Sequence, residues 1–157
     1  MLLSYYELIK LIDRGVINAE PELVNGASID VRLHNEILVE SRSEEFNSIV
    51  CLAKKESPKM DRVDISNGGF VIKPNQFILA STIELFNIPN NIACVFKLKS
   101  SIARAGLDNM LAGWVDPGFT NSRLTLELKN NLQYNSVLLE SGMKIGQMVF
   151  YRCDPVP

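Results

Sequence analysis

Among its 157 residues the chain has one histidine, His34, and three cysteines, Cys51, Cys94 and Cys153, which lie far apart and lack any C-x-x-C spacing. These four residues cannot assemble the usual His and Cys ligand sets, so a zinc site is not expected. The same shortage removes zinc-dependent base chemistry of the His-x-Glu and Pro-Cys-x-x-Cys type. Ser-His-Asp and Cys-His catalysis go too, unless His34 itself is placed for it. An odd number of scattered cysteines reads as buried small hydrophobes in a reducing compartment.

Long apolar runs are also missing. The N-terminal Met1-Leu-Leu-Ser-Tyr-Tyr-Glu7 has neither the basic region nor the apolar stretch of a signal peptide or membrane span, so a cytoplasmic protein without membrane contact is expected. Charge of one sign is not in excess: 16 Lys and Arg stand against 18 Asp and Glu, a net charge of -2. Long nucleic acid is therefore not the expected partner, because duplex binding draws most of its affinity from neutralised phosphates. A single nucleotide is still compatible with this balance. No repeat, linker or low-complexity run divides the chain, so residues 1–157 read as one domain. With 46% apolar residues it can bury a core without staples.

A helix start is legible at Ser4, where Glu7 three residues on completes a capping box before Leu8, Ile9, Leu11 and Ile12. Gly15 ends that helix. After the Asn25-Gly26 turn, Ser28 to Leu33 alternates as a strand, with Ile29, Val31 and Leu33 on one side and Ser28, Asp30 and Arg32 on the other. A short strand over 37–39 follows. Residues 41–68 are irregular around Ile49-Val-Cys-Leu52 and read as an excursion or mobile loop. Strand patterns resume over 70–72, 77–85, 92–98, 124–128, 136–139 and 147–152. One early helix followed by many short strands indicates an all-β barrel or sandwich.

The densest polar functionality lies between Lys99 and Glu127. Ser100 to Ala105 reads as a single helical turn. Ser100 and Arg104, four apart, share a side of it, while the amides near Ser100 and Ser101 offer an anion site to which Lys99 adds a point charge. The alternative is that a serine merely caps the turn and Arg104 pairs with a surface acid. Asp116-Pro-Gly118 is first a tight-turn signature. Trp114, the only tryptophan, is either a core anchor or the wall of a ligand pocket. Glu127 lies midway along an apolar strand, where a carboxylate either faces solvent or is kept for proton transfer with a raised pKa. Gln147 either donates its amide to a phosphate or edges the sheet. Together these residues read as a phosphate-and-sugar pocket.

Several of these motifs, in series, resemble the dCTP deaminase and dUTPase superfamily, more closely its dCTP deaminase branch. Asn25-Gly-Ala-Ser-Ile-Asp30-Val-Arg-Leu is similar to the branch's N-G-A-x-x-D-V-R-L signature, and Lys99-Ser-Ser-x-x-Arg104-x-Gly-Leu to its [RK]-S-S-x-x-R-x-G-L element. Residues 112–119, 124–128 and 141–147 match in order. The resemblance implies a mainly β, distorted jelly-roll-like barrel with a short N-terminal helix, assembled as a homotrimer with active sites shared between neighbours. It implies dCTP or dUTP as substrate, with Mg²⁺ held by the nucleotide triphosphate and no metal ligand from the protein. Carried over by position, Lys99, Ser100, Ser101 and Gln147 would meet the phosphates. Ser100 and Arg104 would place the reactive water and polarise the base, Asp116 would take the sugar 3′-hydroxyl, and Glu127 would shuttle protons at the pyrimidine.

Three departures accompany it. Leu107-Asp-Asn-Met-Leu111 lacks a histidine that many deaminases of the family carry and is shortened. Thr120-Asn-Ser122 carries about one extra residue. The tail that folds over the triphosphate in the family has no counterpart after Asp154-Pro-Val-Pro157, so either residues 41–68 close the site or closure is incomplete. The activities left open are dCTP deamination, alone or with dUTP pyrophosphate release, pyrophosphate release without deamination, and nucleotide sensing without turnover.

Overall fold

The computed structural model describes residues 1–42 and 49–157. Helix α1 (Tyr5–Asp13) starts at the expected capping box, with the Ser4 N–H donating to Glu7 Oε2 at 3.5 Å. It buries Leu8 and Leu11, and the chain turns away at Gly15, whose φ of 71° suits glycine. Eleven strands follow among the described residues. They are β1 (Ile29–Arg32), β2 (Glu36–Glu40), β3 (Met60–Asp64), β4 (Phe70–Ile72), β5 (Phe77–Phe86) and β6 (Ile92–Leu98), then β7 (Leu107–Asp108), β8 (Trp114–Val115), β9 (Ser122–Asn130), β10 (Val137–Leu139) and β11 (Lys144–Arg152). A one-turn helix α2 (Ser100–Arg104) separates β6 from β7.

The strands form a four-stranded sheet in the order β1-β11-β6-β8, a five-stranded sheet in the order β3-β2-β5-β9-β7, and a β10-β4 pair. The first strand thus lies beside the last, the non-local pairing of a jelly-roll-like β fold. Alternation sets each strand's inner face: Ile78, Ala80 and Phe86 on β5, Leu126 and Leu128 on β9, and Met148 and Phe150 on β11 are all buried in one cluster. Phe86, Phe96 and Phe150 are fully enclosed, each adding about 1.5–3 kcal/mol relative to exposure.

Two inward positions of β5 are polar. Thr82 Oγ1 accepts from the Leu124 N–H and donates to the Glu84 carbonyl. The Glu84 side chain is closed to solvent and takes Arg32 Nε at 2.8 Å and the Arg32 N–H at 2.9 Å. Arg32 belongs to β1 and Glu84 to β5, so this pair ties one sheet to the other. The hydrogen bond and charge of Glu84 hold the Arg32 guanidinium above its ordinary pKa despite partial burial.

The irregular reading of 41–68 needs correction over 60–64. Met60-Asp-Arg-Val-Asp64 pairs with all of β2 and forms the sheet edge, but its charges face solvent and hide the strand signal. Residues 43–48 of that stretch lie outside the described residues. Ile49 and Leu52 are exposed, so the apolar run there is not a core segment. Of the cysteines only Cys94 is buried; Cys51 is intermediate and Cys153 exposed, against the expectation that all three pack inside. Among the described residues no helix is long and apolar enough to cross a membrane.

Candidate functional site

The outer face of the four-stranded sheet carries a polar row and an apolar row. Asp30 of β1 stands opposite Gln147 of β11, which stands opposite Lys97 of β6. Two residues along, Val149, Val95 and Trp114 stand opposite one another across β11, β6 and β8. Gly146 makes the close approach of β11 to β6 feasible, since a Cβ there would collide with the Phe96 ring and the Lys97 carbonyl.

Asp30 is the centre of the polar row and only 2% exposed. Its Oδ1 takes Lys99 Nζ at 2.8 Å and Asn25 Nδ2 at 2.8 Å, and its Oδ2 faces Lys144 Nζ at 3.2 Å. Burial alone would raise its pKa; hydrogen bonds from Lys99, Asn25 and Lys144 outweigh that and hold the carboxylate below its ordinary value. Ser28 links the cluster to Gln147, accepting from Asn25 Nδ2 at 3.3 Å and donating to Gln147 Oε1 at 2.9 Å. The Gln147 amide nitrogen donates to no described residue. Gln147 lies on an interior strand, which overturns the alternative of a sheet-edge residue.

Lys99 leads directly into α2, whose Ser100, Ser101 and Arg104 are exposed. Gly106, with φ of 93°, then turns the chain into β7, where an added Cβ would meet the Leu132 side chain. Leu107 pairs with Asn130 of β9, so α2 spans the passage from the four-stranded sheet to the five-stranded one. Trp114 is 60% exposed, which overturns the core-anchor alternative; its Nε1 donates to Asp116 Oδ1 at 2.8 Å. The indole and the turn carboxylate therefore form one unit on the sheet's outer side.

Glu127 is placed apart from these groups. It lies on β9, directly opposite Leu79 of β5, half-buried and without a cationic partner among the described residues. Burial raises its pKa, and a bond from its own backbone N–H offsets this only in part. No described contact joins it to Ser100, Arg104 or Asp116. Lys99 and Gln147 are thus linked through Asp30, Trp114 and Asp116 are paired, and the proton-transfer candidate stands on the second sheet.

Asp30, Asn25, Ser28 and Lys144 were not singled out as site residues by sequence reasoning. Asp30 occupies an alternate position in a strand, which reads as a solvated face. Its burial depends on partners 69 and 114 positions away, Lys99 and Lys144. Among the described residues no group of three or more His, Cys, Asp or Glu comes together.

Two sheets with a jelly-roll-like order, and a lysine-carboxylate cluster beside a serine-rich turn, define a β domain of the dUTPase-like type. The chain aligns over 95% of its length with the solved 2′-deoxycytidine 5′-triphosphate deaminase of Agrobacterium tumefaciens, TM-score 0.71 and 19% identity, and spans about half (47%) of that chain. The model of the dCTP deaminase-like family matches residues 2–153, and the protein belongs to that family. It is 35% identical to a dCTP deaminase, dUMP-forming, of Methanospirillum hungatei, over 98% of this chain and 83% of that one. It is 37% identical to the enzyme of the same description from Corynebacterium glutamicum, over 97% and 81%.

Proposed function

We propose that the protein converts dCTP to dUMP, by deamination of the cytosine and release of pyrophosphate at the same bound nucleotide. One observation carries the chemistry: Glu127 is half-buried, has no neutralising partner among the described residues and holds its proton more tightly than an ordinary glutamate. A carboxylate in that state can take a proton from water and return it to the departing amine. Water adds to C4 of the cytosine and its first proton passes through Glu127 to ring N3; Glu127 then carries the second, from the new C4 hydroxyl, to the amino group, and the C4–N bond breaks to give ammonia and uracil. A second water divides the triphosphate between the α and β phosphates, giving dUMP and pyrophosphate. The names of the relatives support this pairing of reactions.

Lys99, Ser100, Ser101 and Gln147 hold the triphosphate in this reading. Ser100 and Arg104 place the water and polarise the base, Asp116 binds the sugar 3′-hydroxyl, and Trp114 walls the pocket. Mg²⁺ arrives with the substrate. Both Asp30 oxygens are already taken by lysines and Asn25, so this carboxylate is not free to ligate the metal. When bound, the metal neutralises triphosphate charge.

Glu127 lies on the other sheet from Gln147 and, among the described residues, bonds to none of the phosphate candidates, which supports a homotrimer whose sites are completed by a neighbouring subunit. So does the apolar surface on both outer faces, half-covered Val95 and Val149 beside exposed Trp114 on one sheet and half-covered Leu38 and Leu79 on the other. Glu127→Gln tests the catalytic assignment: nucleotide binding is expected to persist while ammonia release falls by at least about 10²-fold, the low end of a general-acid/base contribution. Undiminished ammonia release would remove Glu127 from the mechanism.

A further inference from the structure

We infer that Asp30 is a positioning residue that holds Lys99 and Lys144 together as a two-lysine polyphosphate cradle and restrains its charge, so that Lys144 is a substrate-binding residue. Lys99 follows β6 and Lys144 opens β11, and both reach the same carboxylate, one on each oxygen, at 2.8 and 3.2 Å. The carboxylate itself is 2% exposed and cannot serve as an open ligand. The two lysine side chains keep 29% and 51% exposure, so neither is sealed off from a ligand.

A lysine ammonium has three donors on a flexible stem and is oriented only if one donor is anchored. Asp30 supplies that anchor for both. Through Asn25 and Ser28 it also sets Gln147 Oε1 as an acceptor, leaving the amide nitrogen to donate. Two lysines and one aspartate carry a net charge of +1. That sum attracts a polyphosphate without gripping it as two unrestrained lysines would, which suits a site that must release pyrophosphate.

The inference takes its substrate from the proposed function, and the test separates the two. Binding of inorganic tripolyphosphate is measured calorimetrically on the full chain, alongside kcat and KM for dCTP with Mg²⁺. Lys144→Gln, an exposed change, is expected to weaken tripolyphosphate about tenfold and raise KM with kcat unchanged, the effect of one surface charge. Asp30→Asn is expected to bind tripolyphosphate about tenfold more tightly while kcat falls, because charge is gained and placement lost. A merely structural Asp30 would weaken tripolyphosphate and kcat together, and that result overturns the inference. Unchanged tripolyphosphate binding in Lys144→Gln overturns it as well, even if Asp30→Asn does not fold. A wild-type protein that binds tripolyphosphate but leaves dCTP intact would sink the deaminase reading, and the cradle would still be judged by the two variants' binding.

Discussion

Glu127 stands directly across from Leu79, so the one ionisable group at the centre of β9 faces an aliphatic neighbour and not a cation. Burial therefore sets its pKa above the ordinary glutamate value. In the proposed mechanism the base form is the active one at the start of turnover, so kcat/KM is expected to fall as pH drops, with an apparent pKa above that of a free glutamate. A pH profile of kcat/KM for dCTP measures this; an acid limb at or below the ordinary carboxylate value would contradict it.

The same shift has a stability consequence. A raised folded pKa means that the native state binds this proton more tightly than the unfolded chain does. The contribution is present below the unfolded pKa and is lost as pH rises through the folded one. At neutral pH Glu127→Gln is accordingly expected to be no less stable than the wild type in urea. A clear loss of stability would mean that the ionised carboxylate has a partner.

Arg32 and Glu84 give the opposite expectation. The Glu84 side chain is closed to solvent, and removing one partner leaves the other charge uncompensated. Glu84→Ala is predicted to cost about 3–5 kcal/mol in urea unfolding. Exposed Arg62 and Glu36, paired at 3.1 Å on the β2–β3 edge, should lose no more than about 1 kcal/mol on the same change. Similar losses at the two sites would contradict the role of Arg32 and Glu84 in tying the sheets together.

Trp114 is a built-in reporter, being the only tryptophan, 60% exposed and bonded to Asp116. Nucleotide seated against the Asp116 turn should cover the indole, shifting its emission to the blue and reducing quenching by acrylamide. Asp116→Ala should weaken dCTP about 10- to 100-fold by removing a charge-assisted hydrogen bond to the sugar, worth about 1.5–3 kcal/mol. Titrating Trp114 emission with dCTP measures both, and unaltered emission at saturating nucleotide would place the ligand elsewhere.

The cysteines divide sharply. Cys94 is fully buried, and burial pushes its thiol up to about 12, so it should resist thiol reagents until the protein unfolds. Exposed Cys153 should label fastest in the native protein, with Cys51 slower. Mass spectrometry of timed alkylation gives the order, and early modification of Cys94 would contradict the packing.

Much of this was legible from local pattern. The Ser4 to Glu7 capping box located α1, alternation of apolar and polar residues located β1 and β9, and flanking turn residues located β5, β6 and β11. The Lys99 to Arg104 and Asn25 to Leu33 motifs pointed to the family, and the first of them to the proposed phosphate side of the site. What failed was burial decided at long range. Asp30 looked solvated until Lys99 and Lys144 covered it, and Trp114 looked like core although its edge strand leaves it outside. Strand β3 escaped notice because its charged residues contribute hydrogen bonds to the sheet but little to the core. The Glu127 placement was expected on the strand, but its separation from the serine turn follows from sheet order, which alternation does not encode.

The central claim is tested most directly by product analysis. The protein is incubated with dCTP and Mg²⁺, and ammonia, nucleotide products and pyrophosphate are measured in one reaction. Ammonia, dUMP and pyrophosphate in equal amounts are predicted. Pyrophosphate with dCMP and no ammonia would contradict the account.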